Sequence, residues 1–390
     1  MDRIYLDYAA TTPVDQQVMD AMLPYFGQKF GNPSSAHFYG QEAEGAIEKA
    51  RKTISRLFNA DNYDVIFTSG GSESDNLALR GGAMAIKKIR DGKQLLISSV
   101  EHDAIDKTGQ QLKEDYNFEI LKLRVAKNGI IDVSIINSLL SEQSALVSVI
   151  YANNEIGSIN PIKEIAAVCH EKGVMIHTDA VQAAAHLKID LNELDVDYLS
   201  ISAHKFYGPK GIGALIMKKD APLLPEISGG GQEGGYRAGT SNVPLIVGMA
   251  KALELNYENL ENENYHLEGL RDKLISGVLN SIADCQLTGD HHNRLSNHAS
   301  FVFEGVSGNE LLIAMDMAGF AVSSGSACKV GNPKPSEVLL ALGIDPELAL
   351  GSLRVTLGKY TKEEEIDNFL EALPEIIKRL RNETRSGNGS

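Results

Sequence analysis

Five apolar runs along the chain are each followed at once by residues able to do chemistry. After residues 64–68 (DVIFT) comes Ser69-Gly70-Gly71-Ser72-Glu73-Ser74, and after 94–99 (QLLISS) comes Glu101-His102. Asn153-Asn154-Glu155 follows 145–151 (ALVSVIY), Asp179 and Gln182 follow 174–178 (VMIHT), and Ala203-His204-Lys205 follows 197–202 (DYLSIS). Glycines and hydroxyls, a His, an Asn, an Asp and a Lys are thus delivered to strand ends, where open α/β sheets bind their ligands. Such convergence describes a pocket.

Each residue has a chemical and a plainer reading. Gly70-Gly71-Ser72 ahead of a helix is a phosphate cradle, because the glycines let the backbone approach and the first-turn N–H groups carry partial positive charge. The same stretch also reads as an ordinary strand-to-helix turn capped by Ser72 or Ser74. Lys205 lies between the end of an apolar strand and the Phe206-Tyr207-Gly208-Pro209 turn, where desolvation lowers an amine pKa, the condition for a Schiff-base lysine. Asp179 alone is a helix cap; with such a lysine it is the carboxylate that keeps a pyridinium nitrogen protonated. His102 alone is a turn histidine; with the others it can stack on an aromatic ring and shuttle protons. Together these are the parts required to hold pyridoxal 5′-phosphate. Gly229-Gly230-Gly231-Gln232-Glu233-Gly234 matches G-x-G-x-x-G, but no strand leads into it and no helix follows, so it is not read as a nucleotide fingerprint.

The elements that must position these groups alternate. The five runs, and a sixth at 212–217 (IGALIM), are separated by candidate helices at 74–90, 104–115, 132–141 and 161–172, the last opening on a first-turn proline. Repeated strand, helix, strand implies an α/β layer on a mainly parallel sheet. A long helical stretch at about 240–284, a strand at 299–303 and a charged helix from 361 to about 381 imply a smaller α+β domain. The expected division is 15–255 for the large domain, 1–14 with 256–381 for the small one, and a flexible tail at 382–390.

The 390 residues carry 37 basic and 52 acidic side chains, a net charge of −15. That field repels phosphates and excludes tight nonspecific binding to nucleic acid or an anionic membrane. No apolar run reaches membrane-spanning length and the start lacks a signal-peptide pattern, so a cytoplasmic protein is expected. Three widely spaced cysteines fit neither a disulfide framework nor paired zinc thiolates. His291-His292 reads as a solvated turn, and no metal is expected. The acidic stretch 258–263 reads as an exposed helix face. Cys169, inside a helical pattern, and Cys285, ending a helix, read as packing residues. Cys328 lies between Ser-Gly-Ser-Ala and Lys329-Val-Gly-Asn-Pro-Lys-Pro335, a loop composition, and its lysine neighbours favour an exposed, acidified thiol.

The chain resembles the group I cysteine desulfurases of the NifS/IscS type, a branch of the fold type I pyridoxal-phosphate-dependent transferases within the class-V aminotransferases. The matching motifs are Tyr5-Leu-Asp-Tyr-Ala-Ala-Thr-Thr-Pro13, Gly31-Asn-Pro33, Thr68-Ser-Gly-Gly-Ser-Glu-Ser-Asp-Asn76, Glu101-His102, Asn153-Asn-Glu-Ile-Gly157, Thr178-Asp-Ala180, Ser202-Ala-His-Lys-Phe-Tyr-Gly-Pro-Lys-Gly-Ile-Gly213, Arg237-Ala-Gly-Thr240 and Ser323-Ser-Gly-Ser-Ala-Cys328. The resemblance implies that Lys205 bonds the cofactor, Asp179 pairs with its ring nitrogen, Gln182 meets its phenolate oxygen and His102 stacks on the ring. It further implies that Gly71, Ser72, Ser202 and His204 hold the phosphate, joined by Thr240 from the second subunit of a homodimer. Asn154 and Arg354 would bind the carboxylate of L-cysteine, whose sulfur would leave as a persulfide on Cys328 and L-alanine as the other product. An iron-sulfur scaffold or a sulfur-carrier protein would then accept the sulfur, feeding cluster assembly or thio-modification. Lys329 to Lys334 departs from the small hydroxyl and apolar residues usual after the cysteine.

Overall fold

The computed structural model describes residues 3–325 and 334–387; Cys328 lies outside the described residues. Among the described residues twelve strands are formed: β1 Ile4–Tyr5, β2 Tyr63–Thr68, β3 Gln94–Ser98, β4 Glu119–Leu123, β5 Ser144–Ser148, β6 Met175–Asp179, β7 Tyr198–Ser202, β8 Gly213–Lys218, β9 Cys285–Leu287, β10 His298–Phe303, β11 Phe320–Ala321 and β12 Ser352–Thr356. Seven build one sheet in the order β2-β8-β7-β6-β5-β3-β4. Of these seven, β8 alone runs opposite in direction to the other six.

All six apolar runs of the sequence are strands of this sheet. Parallel strands covered by helices are buried on both faces, so they read as continuous apolar segments; every residue of β5 and of β7 is buried. The seventh strand, β4, escaped the sequence reading because it is an edge strand in which only Leu123 is fully buried. Its exposed Glu119 and Lys122 blunt that edge.

The helices follow the expected pattern with three corrections. The segment expected as one helix over 74–90 starts earlier and is broken: Gly71–Asn76 and Gly82–Arg90 are α-helical, while Leu77–Gly81 is a π turn. Gly81 sits where a Cβ would come within 2.5 Å of the Leu224 carbonyl oxygen, so close backbone approach fixes this irregular turn. Pro161 caps the helix Ile162–Glu171 instead of lying inside it. Cys285 does not end a helix; the helix stops at Ser281 and Cys285 opens β9.

That helix, Val243–Ser281, runs through two apolar clusters. Its first half, including Ile246, Met249 and Leu253, packs with residues of the central sheet. Its second half, with Leu267, Leu270, Leu274 and Val278, packs against Phe301, Phe303, Leu353, Val355 and Phe369. These last belong to the three-stranded sheet β12-β10-β9 and to the closing helix Glu363–Gly387. Phe369 is wholly buried edge-on to Phe320. Truncating such a side chain costs about 3–5 kcal/mol, so the closing helix is integral to this core. The chain start joins the same core through Leu6 and through the pairing of β1 with β11. Among the described residues no helix is long and apolar enough to cross a membrane.

Candidate active site

The carboxyl ends of β2, β3, β5, β6 and β7 surround a cavity of about 290 Å³. Its wall includes Gly71, Ser72, His102, Asn154, Asp179, Gln182, Ser202, His204, Lys205 and Arg354. Every site residue inferred from the sequence lies on this wall except Thr240, which lines a separate pocket with Thr68 and Ser69, and Cys328, which is outside the described residues.

Lys205 follows β7 in a short 3-10 turn, and the next backbone but one, Tyr207, is forced to φ +61°, a strained value for a bulky residue. The Nζ donates to the carbonyls of Ala9 at 2.5 Å and Ala10 at 2.8 Å. Burial, and then the positive charge of Arg354, push the amine down to about 8. Asp179 is 4% exposed, and its Oδ1 accepts from the Val181 N–H at 2.8 Å. Burial raises its carboxyl, while His102 and Lys205 oppose the rise. His102 caps the helix Asp103–Tyr116, its Nδ1 accepting from the Ala104 N–H at 3.1 Å. The plainer cap reading and the cavity position therefore hold together, and the ring proton is left to Nε2.

The glycine turn ends β2 and begins the helix Gly71–Asn76. A Cβ on Gly71 would come within 2.7 Å of Val181 Cγ2, so glycine is required for this backbone to lie against the β6 end. Glu73 does not oppose an anion here: its Oε2 accepts from the Ser69 N–H at 2.8 Å and its Oε1 pairs with Arg237 Nε at 2.8 Å. His204 is pushed down to about 4 by burial and the nearby Lys205 and Lys210, and so is neutral; its Nδ1 meets Thr11 Oγ1 at 3.2 Å. Gln182 donates from Nε2 to the Ala9 carbonyl at 2.8 Å.

Arg354, on β12, reaches the cavity from the smaller sheet. It donates to the Asn154 carbonyl at 2.9 Å and pairs with Asp7 at 2.7 Å, while its buried Nε has no partner. Asp7, Ala9 and Ala10 belong to a motif the sequence reading quoted without assigning them roles. They hold Arg354, Gln182 and Lys205 through contacts that no local pattern signals. Asp75, in the wall with a buried, unpartnered Oδ1, was also missed. Cys169 is fully buried and its thiol is pushed up to about 12 by burial. His291 and His292 are exposed, while of the acidic stretch Glu258 and Glu261 are exposed and Glu263 is partly buried.

Residues 4–369 match the family described as aminotransferase class-V. The chain belongs to that family. It is 45% identical over 381 residues to cysteine desulfurase IscS of Clostridium botulinum, covering 97% of this chain and 95% of that one. It is 44% identical to cysteine desulfurase IscS 1 of Archaeoglobus fulgidus, with 97% of each chain covered. Among solved structures, a NifS-like protein aligns with a TM-score of 0.89 at 36% identity, over 97% of this chain and 100% of that one.

Pyridoxal 5′-phosphate is the cofactor of this family, and the residues present fit it. The cavity has a volume near the lower bound of about 300 Å³ for ligand pockets, suited to one small ring. It offers a glycine turn with hydroxyls for a phosphate, the adjoining Glu73 being tied to Arg237, a depressed lysine amine for a carbonyl, and a buried carboxyl for a ring nitrogen.

Proposed function

We infer that this class-V aminotransferase family member is a cysteine desulfurase, a pyridoxal-phosphate-dependent enzyme that converts L-cysteine to L-alanine and takes the sulfur onto Cys328 as a persulfide. The observation that carries the reading is the meeting of Lys205, Asp179, His102 and Arg354 in one cavity. Similarity to the named desulfurases over nearly the whole chain gives the reaction class.

When bound, the cofactor supplies an electrophilic carbonyl and an electron sink. Gly71, Ser72, Ser202 and His204 would hold its phosphate, with Thr240 from a partner subunit; Asp179 would pair with the ring nitrogen, Gln182 with the phenolate oxygen, and His102 would stack. Arg354, braced by Asp7, and Asn154 orient the substrate carboxylate, for which a guanidinium fork is the fitting partner. Lys205 Nζ, substantially neutral near pH 8, takes the proton from the substrate Cα. The Cys328 thiolate attacks the substrate sulfur; the S–S bond forms as the C–S bond breaks, its electron pair stays on the three-carbon fragment, and protonation of that carbon gives alanine.

The same reading includes a homodimer, since Thr240 lies outside its own chain's cavity, and a scaffold or carrier protein as the sulfur acceptor in the cytoplasm. It divides the chain into a cofactor-holding part, 15–255, and a part formed by 1–14 with 256–381 that carries the Cys328 segment. Cys328→Ser tests it, because serine keeps the shape and removes the sulfur acceptor. The variant should be yellow and change its spectrum on addition of L-cysteine, yet yield neither persulfide nor alanine at useful rates. Alanine release at the parental rate would instead establish a lyase that frees zero-valent sulfur without Cys328 as its acceptor.

A further inference from the structure

The wall beneath the proposed ring-nitrogen site holds a second acid that the mechanism above does not use. Across β6 and β7 the register sets Asp179 opposite Ser200, and across β5 and β6 it sets His177 opposite Ser148. Residues two apart on a strand share a face, so His177, Asp179, Ser200 and Ser148 all belong to one side of the sheet. The His177 ring is wholly buried and spans two hydroxyls, Nδ1 to Ser148 Oγ at 2.9 Å and Nε2 to Ser200 Oγ at 3.0 Å. Asp75, from the helix Gly71–Asn76, lies over this row with its Oδ1 3.6 Å from His177 Nε2. It is 1% exposed, that oxygen has no hydrogen-bond partner, and it lines the same cavity as Asp179.

We propose that Asp75 is a positioning residue that stays protonated beside Asp179, so that the pocket presents one carboxylate, not two, to the ring nitrogen of the cofactor. This deepens the pyridoxal-phosphate reading and rests on it. Two neighbouring buried carboxyls cannot both ionise without a compensating cation. The charge of Lys205 and the Val181 N–H favour ionisation of Asp179, whereas the dominant charge facing Asp75 is Asp179 itself. His177 offers no cation, since burial pushes its imidazole down to about 3. Burial and Asp179 together drive the Asp75 carboxyl well above the usual carboxylate range, although Ser200 donates to it. Glu101, also buried with one unpartnered oxygen, faces both aspartates and is driven up in the same way. Were Asp75 ionised, its repulsion would raise the proton affinity of Asp179. A protonated Asp179 could no longer hold the ring nitrogen as a pyridinium by ion pairing, and a neutral pyridine would be a poorer acceptor of electrons. A neutral Asp75 keeps Asp179 an anion and the ring a pyridinium.

The holoenzyme tests this by two spectroscopies. Infrared spectra should show a protonated-carboxyl C=O stretch that persists as pH rises through neutrality. It should move on labelling aspartate with 13C at the side-chain carboxyl, which separates it from Glu101, and be absent from Asp75→Asn. With 15N in the cofactor ring, the ring resonance should lie at the pyridinium position in the parent and in Asp75→Asn, and move to the neutral pyridine position in Asp179→Asn. The parent's labelled band decides the matter even if Asp75→Asn does not fold. A yellow protein with no aspartate band, a band that survives in Asp75→Asn, or a ring resonance displaced to neutral pyridine by Asp75→Asn overturns the proposal alone. A chain that takes up no pyridoxal phosphate overturns the cofactor reading and this proposal with it.

Discussion

The lysine amine offers the most quantitative check, because its depression has separable causes. In the apo-protein Lys205 is lowered from 10.5 to about 8, first by burial and next by Arg354, with Asp179 and Asp7 pulling the other way. At pH 7 this makes the neutral amine roughly three-hundred-fold more abundant than on an ordinary lysine, equivalent to about 3 kcal/mol. Arg354→Gln removes the cation and releases Asp7 from its 2.7 Å ion pair. Both changes raise the Lys205 pKa, but burial, the larger cause, remains. The rise should therefore be about one pH unit or less, roughly 1 kcal/mol. Acylating the apo-protein with a limiting amine reagent and quantifying the Lys205 peptide by mass spectrometry across pH reads the midpoint directly. The parent should titrate near 8 and Arg354→Gln above it. Linkage supplies an independent sign: between about 8 and 10.5 the unfolded chain binds more protons than the folded one, so parental stability relative to Lys205→Met should climb across that window. The climb is at most about 3 kcal/mol. A parental midpoint near 10.5, or a variant midpoint below the parent's, would refute the reasoning.

Asp179→Asn should lower kcat at least about a hundredfold with little change in KM for L-cysteine, since the carboxylate acts on developing charge; near-parental turnover would remove its assigned role. Glu155, raised to about 7 chiefly by burial and bonded by Ser336, contributes stability that is present below about 4.5 and lost as pH rises through 7. Glu155→Gln should flatten that slope in urea midpoints measured against pH, and an unchanged slope would reject the assignment. Mixing inactive Lys205→Ala chains with inactive Thr240→Val chains should restore activity through hybrid dimers. No recovery, with subunit exchange shown separately, would count against a shared phosphate site.

How much of this was legible in the sequence depends on where each interaction is encoded. The six central strands were readable because burial on both faces leaves little room for polar residues, whereas β4 mixes exposed and half-buried positions and gives only a weak run. The residues after the strands were readable because a parallel sheet gathers its strand ends, so position along the chain predicts proximity in space. The bracing of those residues was not readable. Lys205 bonds carbonyls 195 and 196 residues away, and Arg354 pairs with an acid 347 residues away.

Asp75 shows the limit most clearly. In the sequence it is one of two acids in Ser72-Glu73-Ser74-Asp75, and nothing in that stretch distinguishes it from Glu73. The fold separates them: Glu73 turns outward to the Arg237 guanidinium, while Asp75, two residues on, turns inward onto an imidazole with no charge to offer. The same carboxyl chemistry is thus an anion in one place and a neutral acid in the other. What decides between them is the strand register that places His177 and Ser200 under the helix, a property of the folded sheet and not of the motif.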